Sequence, residues 1–376
     1  LTKNCKLKIK NSTPKVAIFY DWLNQWGGAE KVLLDILSIY PQADLYTLIY
    51  DPKKTNWLPS KIKINPSNLN KLSQTKKNCL FHTPFYSLFL EQFDFSQYDI
   101  IISTTSTIGH CLLTSPKTLF VCYFHNINRY LYQTPNQYKI LKPILEKYQK
   151  TDFIYAQRPD YLLCNSLTVQ KRILENYHRT AQVIYPGVDT SFFIPNKKSS
   201  VDPYFLVVSR LVPHKKIELA IQVCLDLDQK LVIVGSGRDM SRLKKIKPSA
   251  NNSKIIFMGQ VSDKKLLTLY QNCQALICPQ IEDFGLTPIE TQACGKPVIA
   301  LNQGGITETV IDGKTGILFQ NQTVDSLKQA IIKFQTLNIN PIDCINNANK
   351  FSRHNFMLNF KQIINQLWQQ HQTTIL

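Results

Sequence analysis

Short runs of aliphatic and β-branched residues, each followed by a stretch with helical spacing, recur along the chain, and this alternation limits the fold more than any other feature. Near-continuous apolar runs suit strands covered on both faces, and parallel strands need crossover helices to connect them. The first series predicts strands near Val16–Tyr20, Leu45–Ile49, Asp99–Ser103, Leu119–Phe124, Tyr161–Asn165 and Gln182–Tyr185. The stretch from Pro195 to Pro203, rich in Pro, Lys and Ser, reads as a linker. After it the pattern restarts at Phe205–Ser209, Leu231–Val234, Ile255–Met258, Ala275–Cys278, Val298–Ala300 and Ile317–Phe319. The expected architecture is α/β, with two Rossmann-like domains facing a central cleft, one over residues 1–195 and one over 196–376. A terminal helix, His354 to Gln370, carries Phe356, Phe360, Ile363, Ile364 and Leu367 at helical spacing and is expected to pack back across a domain.

Charge narrows the partners. Forty-four Lys and Arg against 26 Asp and Glu leave +18, which favours nucleic acid, phosphorylated small molecules or an acidic membrane surface. The bases are diffuse, and no zinc-finger, homeodomain or RRM signature occurs, so nucleic acid is not the expected partner. From Pro52 to Leu90 there are seven lysines and no acidic residue, interleaved with Trp57, Phe81, Phe85, Tyr86 and Phe89. This segment reads either as a solvated loop before a core helix or as a contact with anionic lipid. No apolar run is long enough to span a membrane, and Leu1 to Lys15 lacks a signal peptide's apolar core. The expected location is cytoplasmic, peripheral on the inner face of the membrane at most. Ten scattered cysteines with no C-x-x-C pair indicate neither a disulfide framework nor a zinc site.

Three stretches carry chemistry, and two glycine-rich ones fail as motifs. Gly27 and Gly28 stand where a strand meets a helix, so backbone N–H groups can approach a phosphate there, although a plain tight turn needs glycine too. Arg210 and Lys215 flank Pro213 at the next such junction and read as a diphosphate clamp, or else as solvated bases. Gly235 and Gly237 lack the third glycine of a dinucleotide fingerprint, and Gly313-Lys314-Thr315 lacks the first glycine of a P-loop. Between a strand ending at Cys278 and the next helix lie Glu282, Phe284, Gly285 and Leu286, followed by Thr287, Pro288 and Glu290. Thr287 to Glu290 has the spacing of a capping box, which accounts for Glu290 but not for Glu282 or Gly285.

Glu282 to Glu290 resembles the Glu, seven residues, Glu motif of the family 4 retaining glycosyltransferases. Other stretches match in order: Gly27-Gly28-Ala29-Glu30, Phe124-His125, Asn165-Ser166, Tyr185 to Asp189, Ser209 to Pro213 with Lys215, Phe257 to Gly259, and Gly304-Gly305. The resemblance spans about Val16 to Phe319 and implies the two-domain GT-B fold and a nucleotide-sugar donor. It implies that Arg210 and Lys215 hold the donor diphosphate with N–H groups of Gly27, Gly28 and the helix after Gly285. Glu290 would hold the ribose, Glu282 with Phe284 to Leu286 the transferred sugar, and His125 would face that sugar. Loops at Gly235 and Gly259 would meet the base. The family's usual His-Thr-Pro-x-Arg-Tyr reads His125-Asn-Ile-Asn-Arg129-Tyr130 here, so Arg129 and Tyr130 are the acceptor-side candidates on a loop without its stiffening proline.

No cofactor is expected, and transfer is expected without a divalent metal: the single Asp-x-Asp, Asp226-Leu-Asp228, precedes a strand and reads as its turn, while Arg210 and Lys215 supply positive charge. The chain looks most like mannosyltransferases of polysaccharides or lipid-linked glycans, which favours GDP-mannose over UDP-glucose and a glycan or lipid-linked acceptor. A UDP-sugar-dependent transferase, a GT-B-fold epimerase or phosphorylase, and a non-catalytic binding module are the alternatives.

Overall fold

The computed structural model describes residues 13–71, 86–133, 142–196, 202–246 and 254–375. Two parallel sheets organise the chain. The first contains β1 (Val16–Leu23), β2 (Asp44–Tyr50), β3 (Ile64–Pro66), β4 (Ile100–Thr105), β5 (Leu119–Phe124), β6 (Tyr161–Cys164) and β7 (Gln182–Val183), in the order β3-β2-β1-β4-β5-β6-β7. The second contains β8 (Phe205–Val208), β9 (Leu231–Val234), β10 (Ile255–Gly259), β11 (Ala275–Cys278), β12 (Val298–Leu301) and β13 (Gly316–Phe319), in the order β10-β9-β8-β11-β12-β13. Both follow the doubly wound order, in which the chain reverses direction across the sheet between its first and fourth strands. Those reversal points lie between β1 and β4 and between β8 and β11, and ligands of such sheets bind at the carboxyl ends of the strands there.

The strands form where predicted because burial on both faces removes any need for alternation: every residue of β4, β5, β9, β11 and β12 is buried. β3 was not predicted. It is three residues at the sheet edge, where a proline that cannot donate to a ladder is tolerated. β1 also runs three residues past Tyr20, through buried Asp21. Compactness divides the chain into Leu1–Leu162 with Ile363–Leu376, and Leu163–Gln362. The terminal helix spans Arg353–Ile375, with Phe356, Phe360, Ile364 and Leu367 buried. The eight described cysteines are buried thiols. In the lysine-rich segment, Lys76, Lys77, Phe81 and Phe85 lie outside the described residues.

Candidate functional site

At the reversal point of the second sheet, the loop after β8 and the loop after β11 bring Lys215 to Glu282. The chain leaves β8 through Ser209 and Arg210, makes a 3-10 turn at Pro213–Lys215, and enters the helix Ile217–Asp226 through left-handed Lys216. That turn buries Lys215, whose Nζ lies 2.7 Å from Glu282 Oε1. Gln280 Nε2 donates to the same oxygen at 2.8 Å. Arg210 is exposed and its guanidinium forms no ion pair among the described residues. The two predicted clamp residues therefore differ: one cation is neutralised internally and the other faces solvent.

The Glu282 loop is held by its main chain. Gly305 N donates to the Glu282 carbonyl at 2.8 Å. A Cβ added at Gly304, whose φ is +77°, would stand 2.4 Å from that oxygen, so the close approach and the backbone angle both require glycine. Ser166 Oγ donates to the Asp283 carbonyl at 2.6 Å while capping the helix Leu167–Tyr177, and Arg172 pairs with the Asp283 carboxylate at 2.5 Å. Glu308 accepts from the Leu167 and Thr168 amides of the same helix. Sequence reasoning did not find Gln280, Arg172 or Glu308. Their partners lie far off in sequence or, for Gln280, only two residues away with no motif to mark it.

The capping box at Thr287 does not form. The helix spans Leu286–Ala293, its N-cap is Gly285 at φ +95°, and no side chain caps it. Glycine's freedom at positive φ starts the helix before Thr287, so Thr287 and Pro288 sit inside the first turn. Glu290 points instead to Tyr270, whose hydroxyl donates to Glu290 Oε2 at 2.8 Å in a fully buried contact. The uncapped N–H groups after Gly285 retain their affinity for an anion. Phe284 is buried, stacked on Tyr185 at 5.6 Å, which leaves its main chain beside Glu282. Gly235, predicted to serve a base, is committed locally: its N–H bonds the Gly259 carbonyl at 2.8 Å, and an added Cβ would meet the Ser209 carbonyl at 1.9 Å. Gly259, at φ +66°, has open space on its Cβ side.

The reversal point of the first sheet is also polar. Asp21 accepts from Thr105 Oγ1 at 2.7 Å and from Ser106 N at 2.8 Å, and burial raises its carboxyl above the usual range. His125 follows β5, with Nε2 2.8 Å from Thr104 Oγ1, and burial pushes its imidazole down to about 4. Gly27 caps the helix Gly28–Ile39 in an extended conformation, with buried Glu30 in the first turn bonded by Tyr20 and Gln25. Arg129 and Tyr130 begin the short helix Arg129–Tyr132 capped by Asn128, and Tyr130 is exposed. One group of metal-type side chains occurs among the described residues, buried His110, Cys111 and Asp152. His110 Nε2 and Asp152 Oδ1 already bond at 2.9 Å, and Arg158 donates to the Cys111 carbonyl.

Comparison with known proteins agrees with this fold. The family described as Glycosyltransferase Family 4 matches residues 26–192, and Glycosyl transferases group 1 matches residues 189–351. An uncharacterized glycosyltransferase of Methanocaldococcus jannaschii is 30% identical over 183 residues, 48% of this chain and about half (51%) of that protein. An alpha-1,3/1,6-mannosyltransferase of Dictyostelium discoideum is 26% identical over 338 residues, 75% of this chain and 78% of that protein. Among solved structures, a sucrose-phosphate synthase from Thermosynechococcus elongatus superposes with TM-score 0.71 at 17% identity, covering 94% of this chain and 99% of that one. Anabaena HepE in complex with UDP and glucose superposes with TM-score 0.67 at 18% identity, covering 94% and 100%. At these identities the likeness is one of fold.

Proposed function

Because the chain belongs to the family 4 glycosyltransferases and has the GT-B fold, we propose that it transfers mannose from GDP-mannose, with retention, to a glycan or lipid-linked acceptor. The observation that carries the site assignment is the Lys215–Glu282 pair at the reversal point of the second sheet. The pair sets a cation for a diphosphate directly beside a carboxylate for sugar hydroxyls. Exposed Arg210 supplies a second charge, and the uncapped amides after Gly285 a third anion contact. As the bond from sugar to diphosphate breaks, negative charge builds on the leaving phosphate, and Lys215, Arg210 and those amides stabilise it. Glu290, held by Tyr270, takes the ribose.

Mannose is favoured by the mannosyltransferase relatives, among them the Dictyostelium protein and an O-antigen chain mannosyltransferase of Salmonella typhimurium that is 30% identical over 219 residues, 56% of this chain and 59% of that protein. A UDP-sugar donor is the second reading, favoured by the UDP-bound Anabaena neighbour. Thermal unfolding with each donor separates them. A donor at about 100 times its Kd stabilises the fold by about 2.7 kcal/mol. Stabilisation and turnover by GDP-mannose alone is the expected result; the same response to UDP-glucose alone would reassign the donor.

Contact with an anionic membrane is a further part of the proposal. Trp26, 45% exposed, packs on Trp57 with ring centroids 5.1 Å apart, and exposed Lys53 and Lys54 precede Trp57 in the same loop. An aromatic pair beside lysines suits the headgroup region, at about 1 kcal/mol per basic residue. Co-sedimentation with phosphatidylserine vesicles is expected at low salt and is expected to weaken as salt rises. No binding at low salt refutes it.

A further inference from the structure

Gln280 is the least expected residue of the second-sheet site. It lies two residues before Glu282, directly after Cys278-Pro279, and is 1% exposed. Its amide orientation is dictated by chemistry. A carboxylate only accepts, so the nitrogen must face Glu282, and Nε2 donates to Glu282 Oε1 at 2.8 Å. The consequence falls on the other end of the amide: Gln280 Oε1 is buried with no hydrogen-bond partner among the described residues. A buried acceptor without a donor carries its full desolvation cost, and an apolar side chain of the same shape would avoid it.

We propose that Gln280 is a positioning residue for Glu282, fixing the carboxylate's rotamer against Lys215 at the expense of its own unpaired oxygen. Two donors converge on one oxygen, Lys215 Nζ at 2.7 Å and Gln280 Nε2 at 2.8 Å, from the loops after β8 and β11. Together they define where that oxygen sits, which one flexible lysine alone does not. The main-chain contacts from Gly305 and Ser166 fix the loop; Gln280 fixes the side chain. The inference rests on the proposed role of Glu282 at the donor sugar.

The test is Gln280→Met, which keeps the length and removes both the donor and the stranded acceptor. The expected result is that kcat with the preferred donor falls about ten-fold while the melting temperature holds or rises. A residue kept only for packing gives a different pattern, a lower melting temperature with activity lost in proportion, and that pattern overturns the proposal. Unchanged kcat in a folded variant also overturns it. Gln280→Glu adds a pH readout: two carboxyls side by side repel when ionised, so its kcat relative to wild type is expected to recover as pH falls. A wild-type protein that turns over neither GDP-mannose nor UDP-glucose would instead defeat the transferase reading. The melting comparison then decides alone, a fall in Gln280→Met overturning the positional role.

Discussion

Replacing Lys215 with alanine is expected to lower kcat/KM by about 10²-fold or more, the size seen when one charge-stabilising donor is removed from a developing anion. Two losses combine. On the proposed role the leaving diphosphate forfeits a cation, and Glu282 forfeits the partner that holds it at 2.7 Å. Because the Glu282 side chain is 22% exposed, water can take over part of the lost pairing, so the fold is expected to lose only about 1–2 kcal/mol. Steady-state kinetics paired with urea unfolding separate the two effects. A folded variant with wild-type kcat/KM would remove Lys215 from the diphosphate site. Arg210→Ala, with no ion pair to break among the described residues, is expected to lower kcat/KM without changing stability.

The second large effect is a pH dependence of stability that belongs to His125. Burial pushes its imidazole down to about 4, whereas in the unfolded chain it titrates near 6.5. Between these values the unfolded state binds a proton that the folded state does not. The contribution of His125 is therefore complete above pH 6.5 and is lost as pH falls toward 4, by about 3 kcal/mol in all. His110, raised well above its ordinary value, acts with the opposite sign, so the total profile does not isolate either group. The comparison of wild type with His125→Gln does, since His110 is common to both. Their stability difference in urea is expected to shrink from pH 7.5 to pH 4.5; a constant difference would mean that the ring is not desolvated. At neutral pH the imidazole is uncharged, so it takes part in hydrogen bonds such as that with Thr104 as a neutral ring.

Strands such as β9 and β11 were legible because four consecutive buried apolar residues admit few other structures between turns. β3 was not, since a proline-containing trio owes its ladder to a neighbouring edge rather than to its own pattern. The run of β1 through Asp21 was hidden for a related reason: a carboxylate normally ends a buried strand, and partners more than eighty residues on, Thr105 and Ser106 among them, make it tolerable. At the site, the residue types were readable but their pairing was not. Lys215 and Glu282 are joined by the order of β8 and β11, which no local spacing encodes. Thr287 and Glu290 carried a true capping signal that was overridden, because Gly285 opened the helix earlier and Tyr270 offered Glu290 a buried partner.

The Lys215–Glu282 pair also bears on what such a basic chain refuses. Lys215 Nζ has three donors and the Glu282 carboxylate two oxygens, so the pair can meet an anion on one side and hydroxyls on the other while its own contact stays in place. On the proposed role, a ligand that carries an anion and hydroxyls in the same molecule gains from both partners, which a free phosphate or a neutral sugar does not. In a chain of net charge +18, which attracts polyanions without discrimination, a lysine already paired with a carboxylate offers a free anion less charge than an unpaired one would.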